Sequence, residues 1–178
     1  MRTDDELMLA YRAGDVRAFE ELFDRYREPI WRFFRRRVAD PPRAEELSQE
    51  TFLALLRSAR RYEPRSTFRS YLFGIACNLL SASRREQRRE MAAPLEAIDI
   101  AAPGCDAATL LWVREALAAL DEKDREVLML REYEQLSYEE IATVAGIAVG
   151  TVRSRLFRAR LALREKLVAH PETEGVSR

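Results

Sequence analysis

Apolar residues recur three and four positions apart along most of the chain, the spacing that lines one face of an α-helix. Phe19, Leu22, Phe23, Tyr26, Ile30, Phe33 and Phe34 form the longest such stripe. Leu47, Phe52, Leu55, Leu56 and Ala59 form a second, and Phe68, Leu72, Ile75, Ala76 and Leu79 a third. Leu110, Val113, Leu117 and Leu120 open another series, continued by Val127, Leu128 and Leu130. No alternating pattern is long enough for a convincing strand, and the Ala, Leu, Glu and Arg content favours helix. The pattern predicts an all-α protein.

Breakers divide these stripes. A short helix is expected over residues 4–12, followed by one capped at Asp15. Pro29 lies inside that second stripe and, lacking an amide donor, should kink or interrupt it just before that point. Asp40-Pro41-Pro42 reads as a turn, with a third helix from Arg43 to Arg60. Ser66 is placed to cap a fourth over 67–89. Residues 91–108 carry Pro94, Pro103, Gly104 and small or acidic residues, the composition of a linker. Two small helical domains, 1–90 and 109–170, joined by a flexible linker, are therefore expected. In the second, Asp121 should cap a helix ending near Tyr133, and the tail after Leu167 should be polar and frayed.

Residues 137–167 carry the sharpest local signal. Ser137 and Glu140 have the spacing of a capping box. Ile141, Val144 and Ala145 share a face, and Gly146 stands where a helix would end in a left-handed residue. Val152, Leu156, Ala159, Leu163 and Leu167 then resume helical spacing. A short helix, a tight turn and a second helix make a helix-turn-helix. On a helical wheel Gly150, Ser154 and Arg158 fall away from the apolar seam, with Thr151 and Arg155 at its flank. Small residues at the start and Arg along one side suit the major groove. A solvated basic face, or a motif packed on another protein, fits the same pattern.

Charge sharpens this picture through its distribution. Formal net charge is zero over 178 residues. Yet residues 57–90 hold nine Arg against three acids, and 151–167 hold six bases against one acid, whereas 110–141 hold nine acids against four bases. Two positive patches on a neutral molecule are what local phosphate contact requires. In the first, Arg61, Arg65, Arg69, Tyr71 and Asn78 mix Arg with an aromatic, as a surface for unpaired bases does; a plain charged surface is the alternative. Glu45, Glu46, Gln49 and Glu50 make an acidic start to the third helix. The helix dipole explains part of it, and a basic protein partner would explain the rest. Trp31, if exposed, could serve such a partner.

Other classes find little support. Two cysteines, Cys77 and Cys105, form neither a disulfide framework nor a metal site, and the one histidine, His170, lies near the tail. No metal or other cofactor is expected. A small enzyme lacks a nucleophile beside a base and a phosphate-cradling glycine loop. There is neither a signal-peptide run nor an apolar stretch long enough to span a bilayer, so a cytoplasmic protein with no direct membrane insertion is expected.

Two segments carry a family resemblance. AEELSQETFLALLRSARRYEPRSTFRSYLFGIACNLL, residues 44–80, resembles the second conserved region of the group IV, or extracytoplasmic-function, sigma factors of bacterial RNA polymerase. LAALDEKDREVLMLREYEQLSYEEIATVAGIAVGTVRSRLFRARLALREKL, residues 117–167, resembles their fourth. The resemblance implies that Glu45, Glu46, Leu47, Gln49, Glu50 and Phe52 dock on the clamp of the polymerase's largest subunit. It implies that Arg61, Arg65, Arg69, Tyr71 and Asn78 hold the non-template strand of the −10 element as single-stranded DNA. Thr151, Arg153, Ser154, Arg155 and Arg158 match the helix that reads the −35 element as duplex. An anti-sigma protein is a further implied partner. The chain departs from the family pattern in having Tyr71 where Trp is frequent, Cys77 where a long residue is frequent, and Ala82 where Asp is frequent. A stand-alone helix-turn-helix regulator is the competing reading.

Overall fold

The computed structural model describes residues 1–90 and 106–168, with eight α-helices and no strand among them. The amino-terminal group comprises α1 (Asp4–Arg12), α2 (Val16–Arg35), α3 (Pro41–Ser58), a 3-10 turn (Ala59–Arg61) and α4 (Phe68–Glu90). The carboxy-terminal group comprises α5 (Ala107–Ala118), α6 (Glu122–Glu132), α7 (Tyr138–Ala145) and α8 (Val149–Val168). Most of the proposed linker, Cys105 and His170 lie outside the described residues.

In the amino-terminal group, α2 packs between α1 and α3, and α4 closes the bundle against α3. Leu22, Ile30, Phe33, Phe34, Leu55, Phe68, Leu72 and Phe73 are buried there. Asp5 on α1 ties the start of α4 to this core: one carboxylate oxygen accepts from the Phe68 amide at 2.9 Å and from the Tyr62 hydroxyl at 2.7 Å. Burial first, and that hydrogen bond second, push the Tyr62 phenol well above its ordinary pKa.

Several local expectations change. α2 runs unbroken through Pro29, because Tyr26, Ile30, Phe33 and Phe34 anchor it to the core on both sides of the missing amide. Pro41 and Pro42 begin α3 rather than precede it; their amides would have been unpaired at a helix start. Ser66 does not cap α4; Thr67 does, its hydroxyl accepting from the Ser70 amide at 3.2 Å. Phe23 and Leu56, expected in the core, are 38% and 37% exposed.

The carboxy-terminal group packs α5, α6 and α7 against α8. Asp106 and Asp121 cap α5 and α6. Ser137 and Glu140 form the capping box of α7. Gly146 ends that helix at φ 63°, a left-handed conformation that glycine adopts without Cβ strain. Ile141, Val152, Leu156 and Ala159 are buried between α7, α8 and their neighbours, whereas Ala145 is exposed. The apolar interiors of the two groups join in one continuous cluster.

Candidate functional site

A groove of about 1070 Å³ runs between α2 and α3. Phe19, Phe23 and Trp31 line it from α2, and Phe52, Leu53 and Leu56 from α3. Phe23 meets Phe52 edge-on at 4.8 Å between ring centres. Asp24, Arg27, Glu28, Glu45 and Gln49 add polar groups. This arrangement divides the six acidic-patch candidates. Glu45, Gln49 and Phe52 face the groove, spaced along one side of α3. Leu47 and Glu50 line a different depression, towards α4. Glu46 pairs with Arg43 at 2.6 Å. Leu47 and Phe52 are buried, Phe52 beneath the groove and Leu47 beneath the other depression. On the α2 side Trp31, the residue the sequence offered to a partner, lines the groove half-buried, whereas Phe19 and Phe23 share the spacing of ordinary core.

The second candidate surface spans the 3-10 turn and α4. Arg61 and Asn78 are exposed, as is Arg65, which pairs with Glu63 at 2.7 Å. Tyr71 is half-buried with its ring edge-on to Tyr62 at 5.1 Å. Arg69 is different. Its guanidinium donates to the backbone carbonyls of Glu134 and Gln135 in the turn between α6 and α7. Thr67 also reaches the second group, donating to Glu140 at 2.8 Å.

The third surface is α8. Arg153 and Ser154 are exposed, and Thr151 and Arg155 half-buried near the helix start. Arg158 is exposed but engaged, donating to both oxygens of Asp124 at 2.9 and 2.8 Å. That hydrogen bond raises its pKa above the ordinary arginine value. Phe157, 68% exposed on the same helix, is an apolar feature that helical spacing alone did not single out.

Residues 22–90 match the family model for sigma-70 region 2, and residues 110–163 the model for sigma-70 region 4. The chain belongs to the sigma-70 family. It is 35% identical to the RNA polymerase sigma-H factor of Pseudomonas aeruginosa, over 92% of this chain and 93% of that protein. It is 35% identical to the sigma factor CarQ of Myxococcus xanthus (90% and 95% covered). The ECF sigma factor SigC of Mycobacterium tuberculosis is 34% identical (90% and 91% covered). The fold is similar to that of the sigma factor RpoE bound to the anti-sigma factor NepR from Bartonella quintana, with a TM-score of 0.73 and 26% identity, covering 85% and 97% of the two chains. It is also similar to CnrH bound to the cytosolic domain of CnrY, with a TM-score of 0.66 and 28% identity, covering 92% and 96%. The protein is thus an extracytoplasmic-function RNA polymerase sigma factor, of a family that acts in transcription initiation.

In this sigma factor the two helical domains meet through charge as well as apolar surface. Arg37, at the end of α2, has a side chain 1% exposed. It donates to Glu134 at 3.0 Å, to Glu126 at 3.0 Å and to the Phe33 carbonyl at 3.0 Å. Burial disfavours its charge, but the carboxylates of Glu126 and Glu134 outweigh that and raise its pKa. Arg36 also pairs with Glu134, at 3.3 Å. At the other end of the interface Arg84 and Arg88 approach Glu122 at 3.7 and 3.3 Å. Cys77 lies in the field of Glu126 and Glu134; burial first, then Glu126, push its thiol pKa far above the ordinary value. No cluster of potential metal ligands occurs among the described residues, and no helix there is long and apolar enough to cross a membrane.

Proposed function

We propose that this sigma factor docks on core RNA polymerase through the groove between α2 and α3, and reads a promoter at two places. Phe23, Trp31, Leu53 and Leu56 supply apolar contact, while Glu45 and Gln49 set the orientation of a basic helical partner such as the clamp of the largest subunit. Glu46 and Glu50 lie towards Arg43 and add acidic field at the flank. Leu47 and Phe52 hold α3 in place. The observation that carries this reading is the exposed apolar lining of that groove, Phe23, Leu53 and Leu56 gathered beside Asp24, Arg27, Glu28 and Glu45. A self-contained DNA-binding regulator would not need it.

Arg61, Arg65, Arg69, Tyr71 and Asn78 receive the unpaired −10 strand. The Arg groups neutralise phosphates, and Tyr71 offers a ring for stacking. Thr151, Arg153, Ser154 and Arg155 enter the duplex major groove at the −35 element, where the small side chains permit close approach. Arg158 contributes differently: its two hydrogen bonds to Asp124 hold α8 against α6, so it positions the reading residues. An anti-sigma protein is a further partner, by analogy with the two sigma factor complexes to which the fold is similar.

Run-off transcription with purified core polymerase on a promoter library tests this function. The chain is expected to direct initiation from a defined subset that shares −10 and −35 sequences. Failure to co-elute with core polymerase, or initiation independent of promoter sequence, overturns it.

A further inference from the structure

A polar cavity of about 510 Å³ opens where α2, the start of α4 and the turn between α6 and α7 meet. Four arginines line it, Arg25, Arg32 and Arg36 from α2 and Arg69 from α4, against the three carboxylates of Asp4, Glu28 and Glu134. Each carboxylate is already engaged. Asp4 accepts from Arg25 and from the Tyr26 hydroxyl. Glu28 accepts from Arg32 at 2.7 Å, and Glu134 from Arg36 and Arg37. Arg69 meets only the backbone carbonyls of Glu134 and Gln135, and forms no ion pair among the described residues. The lining therefore carries an excess of positive charge.

Donors are left over as well. Arg32 uses its Nε alone and Arg36 one terminal nitrogen alone, so the remaining guanidinium N–H groups of both have no protein partner among the described residues. The two stand four residues apart on α2 and project from one face, about 5–6 Å apart at Cβ. The Tyr133 ring lies 4.7 Å from the Arg36 guanidinium and holds it in place. Arg69 belongs to a second wall of the same cavity.

We propose that this cavity binds a small oligophosphate, held by Arg32, Arg36 and Arg69, either as the free anion or as the phosphate chain of a nucleotide. Guanidinium forks pair with phosphate oxygens two at a time. Three forks on two elements match an anion with more than one phosphate, and a monophosphate would leave part of the set unused. The volume lies within the span of roughly 300–1,000 Å³ usual for small-molecule sites. A nucleic-acid strand needs an open track, whereas three elements wall this space. Promoter reading does not call for it, and Arg69 is the one residue the two surfaces share.

Isothermal titration calorimetry on the full chain tests the site, in metal-free buffer with inorganic phosphate, pyrophosphate and ATP as probes. Pyrophosphate and ATP should bind at least tenfold more tightly than phosphate. Tighter binding of ATP than of pyrophosphate would assign the site to a nucleotide, and equal binding to the oligophosphate alone; both support it. Arg32→Ala should weaken pyrophosphate binding about tenfold, the scale of one charged hydrogen bond. Arg32 pairs only with Glu28 on its own helix, so this variant keeps the surrounding structure. Arg69→Ala should weaken binding at least as much, and where that variant fails to fold, Arg32→Ala carries the test alone. Arg17→Ala, exposed on the same helix and outside the cavity lining, should bind as wild type does.

Absence of pyrophosphate and ATP binding, phosphate bound as tightly as pyrophosphate, full affinity in Arg32→Ala, or an equal loss in Arg17→Ala each overturns the proposal. So does a short single-stranded oligodeoxynucleotide that displaces pyrophosphate and itself loses affinity in Arg32→Ala, since the cavity would then belong to DNA. Neither polymerase nor promoter enters these measurements. Their failure leaves the proposed function standing, and failure of promoter-specific run-off transcription leaves the cavity standing.

Discussion

Arg158 and Asp124 form a two-pronged ion pair that joins α8 to the first turn of α6, with hydrogen bonds of 2.9 and 2.8 Å. Asp124 is largely buried while Arg158 keeps much of its side chain in water. The pair therefore ties α8 to α6 beside the apolar contacts of Val152, Leu156 and Ala159. Arg155, one turn earlier, makes no such pair among the described residues, and a base edge is its proposed partner.

Arg158→Ala and Arg155→Ala should consequently differ in kind. Arg158→Ala leaves a buried carboxylate unpaired, so the urea midpoint of the chain falls and transcription declines on every −35 sequence alike. Arg155→Ala should leave the midpoint unchanged and reduce transcription from the preferred −35 sequence about tenfold, the scale of one lost base contact. Equal discrimination among −35 variants before and after Arg155→Ala would remove that residue from base reading.

Leu156 is 1% exposed within the carboxy-terminal domain. Leu156→Ala should destabilise it by about 2–5 kcal/mol, the range for a buried leucine whose cavity collapses only in part. Chemical denaturation followed by circular dichroism measures it; an unchanged midpoint would place Leu156 outside the core.

Leu53 is 47% exposed in the groove between α2 and α3. Leu53→Glu should change stability by less than about 0.5 kcal/mol, as surface substitutions usually do. It should weaken binding to core polymerase at least tenfold, since the apolar contact of Leu53 is lost and a charge must be desolvated in its place. Fluorescence anisotropy with labelled chain reads the affinity. Retained binding would move the docking surface elsewhere.

Cys77 supplies a pH-dependent reporter. Only the thiolate is alkylated, and a pKa raised by burial keeps the thiol protonated, so iodoacetamide should label Cys77 slowly at pH 8 and faster as pH rises. Glu126→Ala/Glu134→Ala, by separating the domains, should hydrate the thiol, lower its pKa and speed labelling at pH 8. Peptide mass spectrometry distinguishes Cys77 from Cys105. Rapid labelling of the wild-type chain at pH 8 would contradict the raised pKa of this half-buried thiol.

Asp5 accepts from both the Phe68 amide and the Tyr62 hydroxyl. Asp5→Ala should lower stability by about 1–3 kcal/mol by leaving the Phe68 amide and the Tyr62 hydroxyl short of a partner. Thermal unfolding is the measurement, and a loss well below that range would mean that water replaces the carboxylate.

Local chemistry was legible wherever neighbouring residues were enough to specify it. Ser137, Glu140 and Gly146 define α7 because capping and left-handed termination depend on positions a few residues apart. The three-and-four spacing of Leu22, Ile30 and Phe33, or of Val152 and Leu156, fixes which helical face is buried, since periodicity is a property of the chain itself. Pro29 does not break α2, because a missing amide is a local cost, whereas the packing that holds the helix together across it is not local. Phe23 and Leu56 have the same spacing as core residues; only the splay between α2 and α3 leaves them open as a groove.

The amino-acid sequence thus determined an all-helical chain, its helix-turn-helix, its segregated charge and its family, because each is written in short-range pattern. Tertiary structure alone decided that Arg158 clasps Asp124, that Glu45 and Gln49 part company with Glu46 and Glu50, and that Arg36, Arg37 and Arg69 meet the turn at Glu134. Glu46 meets Arg43 on its own helix and Arg158 meets Asp124 within one domain, whereas Arg36 and Arg37 reach a carboxylate nearly a hundred positions away. Only the packing of one domain on the other brings such charges within hydrogen-bonding range.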